Sequence, residues 1–283
     1  MTKLTCKISD LEEICRLISL KGKNPQGKEF VAIPDFLLVC AGPTGSIPGS
    51  EGYADVKAVD NKGAIAVSLR YKNIKVVQDG VIPIGDVESF QKYLARFNSS
   101  DEVTVETTEN KIIITRQSPS KIARIPMASV DSLTTSKNAE AILSNFKKNE
   151  AGYFQSKKTN LNLRLTLNAG DIKNVVDDGE AVGQRIYPWK LEANQLFVKV
   201  GEEQLGEIET QITTLKTESF TKSGDAPETQ TAFAYGIDNI FGNLSGEVKI
   251  YLANGVQACP LILTQSTDKY SLKILLAPVT VTE

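Results

Sequence analysis

Apolar positions along the chain recur with two periods. Four stretches repeat at helical spacing: Leu11, Ile14, Cys15 and Ile18; Val87, Phe90, Leu94 and Phe97; Ile172, Val175 and Val176; and Ile237, Ile240, Phe241 and Leu244. Each puts its apolar side chains on one face of a short helix, which predicts amphipathic helices packed on a sheet. Between them the pattern alternates every second residue and is broken by turn-forming residues, which predicts strands. "CKISDLEEICRLISLKGK" reads as a strand and a helix, and "EFVAIPDFLLVCA" and "VKAVDNKGAIAVSLRY" read as strands.

These elements occur twice in the same order. The stretch from Gly80 to Met127 and the stretch from Thr229 to Pro278 each read strand, helix, strand, turn, strand, loop, strand. In each, the helix gives way at a Ser/Gly break to Glu-Val, at Glu102-Val103 and at Glu247-Val248. Upstream, "LNLRLTLNAGDIKNVVDDGEAV" again offers a strand and a helix, and "WKLEANQLFVKVGEEQLGEIETQIT" a strand pair. The chain is therefore expected to be α+β, with tandem domains over 1–127 and 161–283 that each hold two helices and many strands. The segment 128–160 between them is basic and polar, with one short helix expected near Ala139–Phe146. It is long for a connection inside a domain.

Composition narrows the chemistry. The chain has 283 residues, 41% hydrophobic and 23% charged, so it is globular rather than disordered. No apolar run approaches the ~20 residues needed to cross a bilayer. The opening "MTKLTCKISDLEEI" has acidic residues where a signal peptide carries its apolar centre. A soluble intracellular protein is expected, with no membrane partner. The four cysteines lack CxxC spacing and read as free, buried thiols.

Histidine is absent, which removes the commonest general base and metal ligand. No enzyme, cofactor or metal is expected. "GKNPQGKE" approaches a phosphate loop, but Glu29 stands where Ser or Thr would hold magnesium and a strand-like run follows. Net charge is −2, unevenly spread. Lys and Arg outnumber Asp and Glu over 121–160, and the reverse holds over 161–283.

Two tandem domains with two helices each, the turn "KAVDNKGAIAVSL" and the ending "ACPLILTQSTDKYSLKILLAP" together resemble the DNA sliding clamps of the proliferating cell nuclear antigen (PCNA) type, including phage clamps. The resemblance covers most of the chain and is strongest from Leu161 to Pro278. It implies two copies of the clamp domain and a processivity factor in DNA replication and repair, placed in the cytoplasm and nucleoid or in the nucleus, or a viral protein acting in its host cell. Three subunits would close head to tail into a homotrimeric ring around duplex DNA and tether polymerase, and a clamp loader would place the ring. The strand holding Lys121, Ile122 and Arg124 would pair with the strand holding Glu207, Ile208 and Glu209 of the next subunit. The helices would face DNA with Arg16, Lys21, Lys23, Lys92, Arg96 and Lys173; the fourth helix offers only Asn239 and Asn243.

By position, the resemblance also implies an apolar pocket for partner peptides. The turn would supply Val59, Gly63, Ala64 and Ala66, and the connector Met127, Val130 and Leu133. Pro260, Leu275, Ala277 and Pro278 would complete it. Gly63 stands where the family has a histidine and Leu275 where it has an aromatic, which implies a shallower or differently shaped pocket and a different partner motif. Two other readings use the same duplicated fold: a structural or assembly protein, for instance viral, that never encircles DNA, and one subunit of a mixed ring.

Overall fold

The computed structural model describes residues 1–23, 29–43, 52–72, 74–136, 138–183, 186–192, 195–202, 206–214, 229–233, 236–253 and 258–278. The chain begins β1 (Lys3–Lys7), α1 (Ile8–Ser19), β2 (Lys21–Lys23), β3 (Glu29–Val31), β4 (Phe36–Ala41), β5 (Tyr53–Val59) and β6 (Ile65–Tyr71). It continues β7 (Lys75–Gln78), β8 (Gly80–Ile84), α2 (Val87–Leu94), β9 (Glu102–Thr107), β10 (Lys111–Arg116) and β11 (Lys121–Pro126). A 3-10 turn (Val130–Ser132) follows, then α3 (Ala139–Ser144), β12 (Lys147–Lys148), β13 (Phe154–Gln155) and β14 (Asn160–Leu161). The order then recurs as β15 (Leu163–Asn168), α4 (Ala169–Ala181), β16 (Tyr187–Glu192), β17 (Gln195–Glu202), β18 (Gly206–Thr214) and β19 (Thr229–Phe233). It ends with α5 (Gly236–Phe241), β20 (Glu247–Leu252), β21 (Leu261–Ser266) and β22 (Tyr270–Leu276).

The chain divides into two compact units. Unit 1 holds Met1–Leu20, Val31–Glu140 and Ser266–Leu272; unit 2 holds Lys21–Phe30, Ala141–Gln265 and Lys273–Glu283. The main boundary falls inside the connector, within α3, and two short segments change sides.

In unit 1, one sheet runs β11-β10-β9-β1-β7, and another row of strands runs β6-β5-β4-β8. The β1–β9 ladder sets Leu4 opposite Val105 and Cys6 opposite Val103, all buried. Helix α1 buries Ile8, Leu11, Ile14, Cys15, Leu17 and Ile18. A helix of this length is marginal alone in water. Each large apolar side chain buried contributes roughly 1.5–3 kcal/mol, so packing rather than propensity holds α1. Helix α2 packs against α1 and is capped by Asp86, whose Oδ1 accepts from the Ser89 amide at 3.0 Å. Those bonds from Ser89 hold the Asp86 carboxyl below its ordinary range.

Unit 2 repeats the plan. Its strand rows are β15-β20-β21 and β18-β17-β16-β19, with a small β12-β13-β14 sheet formed by the connector. The stretch expected as one strand pair is three antiparallel strands, because Glu202 pairs with Gly206 and turns the run back. Asn168 caps α4 by accepting from the Gly170 amide at 2.9 Å. The single Trp189 is buried with Phe241, ring centroids 6.5 Å apart.

The helix-spaced apolar residues named from the sequence are all buried. The connector helix is two residues shorter than expected, and the segment beyond it forms strands. None of the four cysteines is in a disulfide, and all four are buried. Burial raises the Cys40 thiol to about 12 and the Cys259 thiol to about 11, so they are poor nucleophiles. The phosphate-loop-like stretch is flanked by strands β2 and β3 rather than leading into a helix; its residues 24–28 lie outside the described residues, as do 279–283. Among the described residues no helix is long and apolar enough to cross a membrane.

Candidate functional site

Two strands expected to join subunits are edge strands. In unit 1, β11 closes one end of its sheet, and in unit 2, β18 does the same. Each therefore carries a row of backbone groups on its outer edge that can pair with another chain. Each also exposes an isoleucine: Ile122 is 47% exposed and Ile208 56%. Arg124 and Glu209 are exposed beside them. Lys121 and Glu207 already have partners within the chain. The Lys121 ammonium donates to the Arg96 carbonyl and lies 5.1 Å from the Phe97 ring centroid. Glu207 pairs with Lys199.

The cations expected to face DNA are not alike. In unit 1, Lys92 and Arg96 are exposed on and just beyond α2. Arg16 on α1 lies 3.5 Å from Glu13, and the same face carries Glu12. In unit 2, Lys21 is exposed on β2, whereas the Lys23 side chain lies outside what is described. Lys173 pairs with Asp177 one turn on, at 2.7 Å. The exposed face of α4 adds Asp171 and Asp178. These helices do not present a dense cationic surface.

The hairpin turn between β5 and β6 is locked by Asp60. Its amide donates to the Ile65 carbonyl (2.9 Å), and the Ile65 amide donates to its Oδ1 (2.8 Å). Gly63 adopts φ +70, with nothing within 4 Å of where a Cβ would stand. The left-handed backbone favours glycine there, a local reason for the departure from histidine. Gly63 is exposed and Ala64 half-buried, but Val59 and Ala66 are buried strand residues. On the connector, Leu133 is buried while Val130 is 47% exposed. In unit 2, Pro260, Ala277 and Pro278 are half-buried and Leu275 is core. Of the residues expected in the pocket, Gly63, Ala64, Met127 and Val130 in unit 1, and Pro260, Ala277 and Pro278 in unit 2, are exposed or half-buried.

Three features within the units were not read from the sequence. Asp35, just before β4, binds the connector in unit 1, where its carboxylate accepts from Thr134 and Thr135. In unit 2, Lys273 on β22 donates to the carbonyls of Leu143 (3.1 Å) and Phe146 (3.0 Å), at the end of α3. Its ammonium lies 4.7 Å from the Phe154 ring, which meets Tyr251 edge-on. Burial, with Lys148 nearby, lowers Lys273 to about 8. The third feature is a cleft of about 570 Å³ in unit 1, bounded by Thr2, Val81, Thr107, Glu109, Met127 and Val130. No spacing rule reveals such contacts, because each joins residues far apart in sequence. Among the described residues no group of His, Cys, Asp and Glu is placed to hold a metal ion.

Two units with the same strand–helix order, paired helices and an edge strand each define the PCNA-type sliding-clamp fold. Solved structures place the chain there over its whole length. It is similar to PCNA from Entamoeba histolytica, with TM-score 0.67 and 13% identity over 99% of each chain. It is similar to A. fulgidus PCNA bound to the C-terminal region of FEN-1, with TM-score 0.68 and 10% identity over 100% of each chain. PCNA from Thermococcus kodakaraensis matches with TM-score 0.65 and 13% identity over 99% of this chain and all of the other. The sequence matches no family model and no curated protein.

Proposed function

We propose that the chain is a sliding clamp: a non-enzymatic ring that encircles duplex DNA and tethers a polymerase and other replication and repair proteins. The observation that carries the ring is an equivalence of edges. Strands β20, β21 and β22 repeat β9, β10 and β11, and β16, β17 and β18 repeat β4, β5 and β6. The first residues of β22, which belong to unit 1, lie beside the end of β6. There the Lys72 amide donates to the Lys269 carbonyl at 2.7 Å, and Tyr71 stacks on Tyr270. If β11 repeats β22 and β18 repeats β6, then β11 of one chain pairs with β18 of the next. Such a head-to-tail contact closes into a ring when the rotation is right.

In this reading Arg16, Lys21, Lys23, Lys92, Arg96 and Lys173 meet phosphates sparsely. Sparse, sequence-blind contacts suit a ring that holds by topology and slides. Tethering raises the polymerase's effective concentration at the primer end. Partners, the clamp loader among them, dock through short apolar anchors; the accessible side chains that support this are Ala64 and Val130 in unit 1 and Pro260, Ala277 and Pro278 in unit 2. The FEN-1 segment on the A. fulgidus clamp is a precedent for a peptide partner.

Sedimentation equilibrium at micromolar concentration tests the assembly. The expected mass is three times the 30.8 kDa chain. A strict monomer overturns the ring as drawn. The acidic face of α4 favours a second reading, an assembly protein on the same fold that does not encircle DNA.

A further inference from the structure

The course of the connector is set by one buried carboxylate. Asp35 follows Pro34 at the mouth of β4 and is only 7% exposed. Its Oδ2 accepts from the Thr134 hydroxyl (2.8 Å) and amide (3.3 Å). Its Oδ1 accepts from the Thr135 amide (3.1 Å), with the Thr135 hydroxyl at 2.8 Å. That hydroxyl also lies against the Asp35 carbonyl. The Thr135 carbonyl then accepts from the Val59 amide (2.8 Å), at the start of the β5–β6 turn. One side chain thus joins the connector to the strand that carries the turn. Both threonines use side-chain and backbone donors, and hydrogen bonds to an ionised acceptor are the stronger kind.

The other end of this strap is fixed too. The Met127 amide donates to the Asn110 carbonyl (3.0 Å), and Gly85 lets Ala128 approach so closely that a Cβ there would stand 2.6 Å from the Ala128 Cβ. Between these anchors lies a strap of a few residues, whose 3-10 turn leaves Val130 exposed while Leu133 and Thr135 are buried.

We propose that Asp35 is a positioning residue for partner binding: through Thr134 and Thr135 it holds the strap so that Val130 and the Asp60–Ala64 turn keep a fixed spacing for an apolar anchor. The inference rests on the docking role proposed above. Asp35 touches no partner itself. It acts by removing the connector's freedom before binding, so the ordering cost is not met when the partner arrives.

Two measurements on the full-length chain separate this inference from the docking role. Hydrogen exchange followed by mass spectrometry reads the strap directly, in Asp35→Asn and in the near-isosteric Thr135→Val. Both variants should speed exchange over 127–136 and at Val59 by about tenfold or more, a loss expected when a buried hydrogen-bonded charge is disturbed. Exchange in β9 and β10 should stay unchanged. Thr135→Ser keeps the hydroxyl and should restore the slow exchange. Fluorescence anisotropy with a labelled synthetic peptide of the FEN-1 C-terminal region then reads docking. Asp35→Asn and Thr135→Val should weaken it by about tenfold and Thr135→Ser should not, with sedimentation unchanged. Unchanged strap exchange in both variants overturns the hold of Asp35 on the strap. Faster exchange with undiminished affinity overturns the positioning role. A wild-type chain that does not bind the peptide, yet shows the exchange effect, overturns the docking role on which positioning depends and leaves the strap as architecture.

Discussion

Ile122→Lys should leave the chain folded and hold it as a monomer. Ile122 is 47% exposed on β11, the edge strand of its sheet, so a lysine there meets water and disturbs little inside the unit. Surface changes of this kind usually fall within about 0.5 kcal/mol. The effect appears at the contact. A lysine on an edge strand is a common natural block to pairing with another chain. In the proposed ring Ile122 enters an interface against the strand that carries Ile208. Losing a buried apolar anchor and desolvating an ammonium should cost about 2 kcal/mol or more per contact. That is roughly thirtyfold in each contact, since 1.4 kcal/mol is tenfold. A ring meets the loss at every junction. Sedimentation should move from trimer to monomer while the thermal melt stays put. A variant that remains trimeric would place the subunit contact elsewhere.

The second large effect is expected from Ala277→Glu combined with Pro278→Glu. Both residues follow β22 and are half-buried, so they are not core and their loss should leave unit 2 standing. Proline also ends the strand there because it cannot continue the ladder. Two carboxylates would meet the apolar anchor of any partner, and removing a charge from water without a counter-charge costs several kcal/mol. Polymerase stimulation and peptide binding should fall below detection while the trimer persists. Loss of the trimer instead would assign the pair to assembly rather than docking.

Much of the fold was legible because periodicity carries it. Leu11, Ile14, Cys15 and Ile18, or Val87, Phe90 and Leu94, repeat at helical spacing because one face of each helix is buried. The duplicated order then points to tandem units. The edges β11 and β18 came only through the resemblance, since Lys121–Pro126 and Gly206–Thr214 each mix charge with two isoleucines, as ordinary solvated strands do. What escaped depends on tertiary contact. Asp35 reads as a polar residue after a proline, and nothing local says that Thr134 and Thr135 will meet its carboxylate. Lys273 reads as an ordinary outward strand position, yet it caps the connector helix and loses solvent there. Among the expected pocket residues, Val59, Ala66, Leu133 and Leu275 are buried, because alternation alone does not say which face of a strand another segment will cover.

The central claim is that the chain holds DNA by encircling it. A linear duplex incubated with the protein at micromolar concentration lets closed rings thread over its ends. Blocking both ends with biotin and streptavidin traps threaded rings, and a high-salt wash removes proteins held only by phosphate contacts, since counterion release makes those contacts salt-dependent. A restriction cut between the blocks then opens an exit. The expected result is retention through the wash and release on cutting, with Ile122→Lys never retained. Loss in the wash with the ends blocked, or equal retention before and after the cut, would contradict a topological clamp.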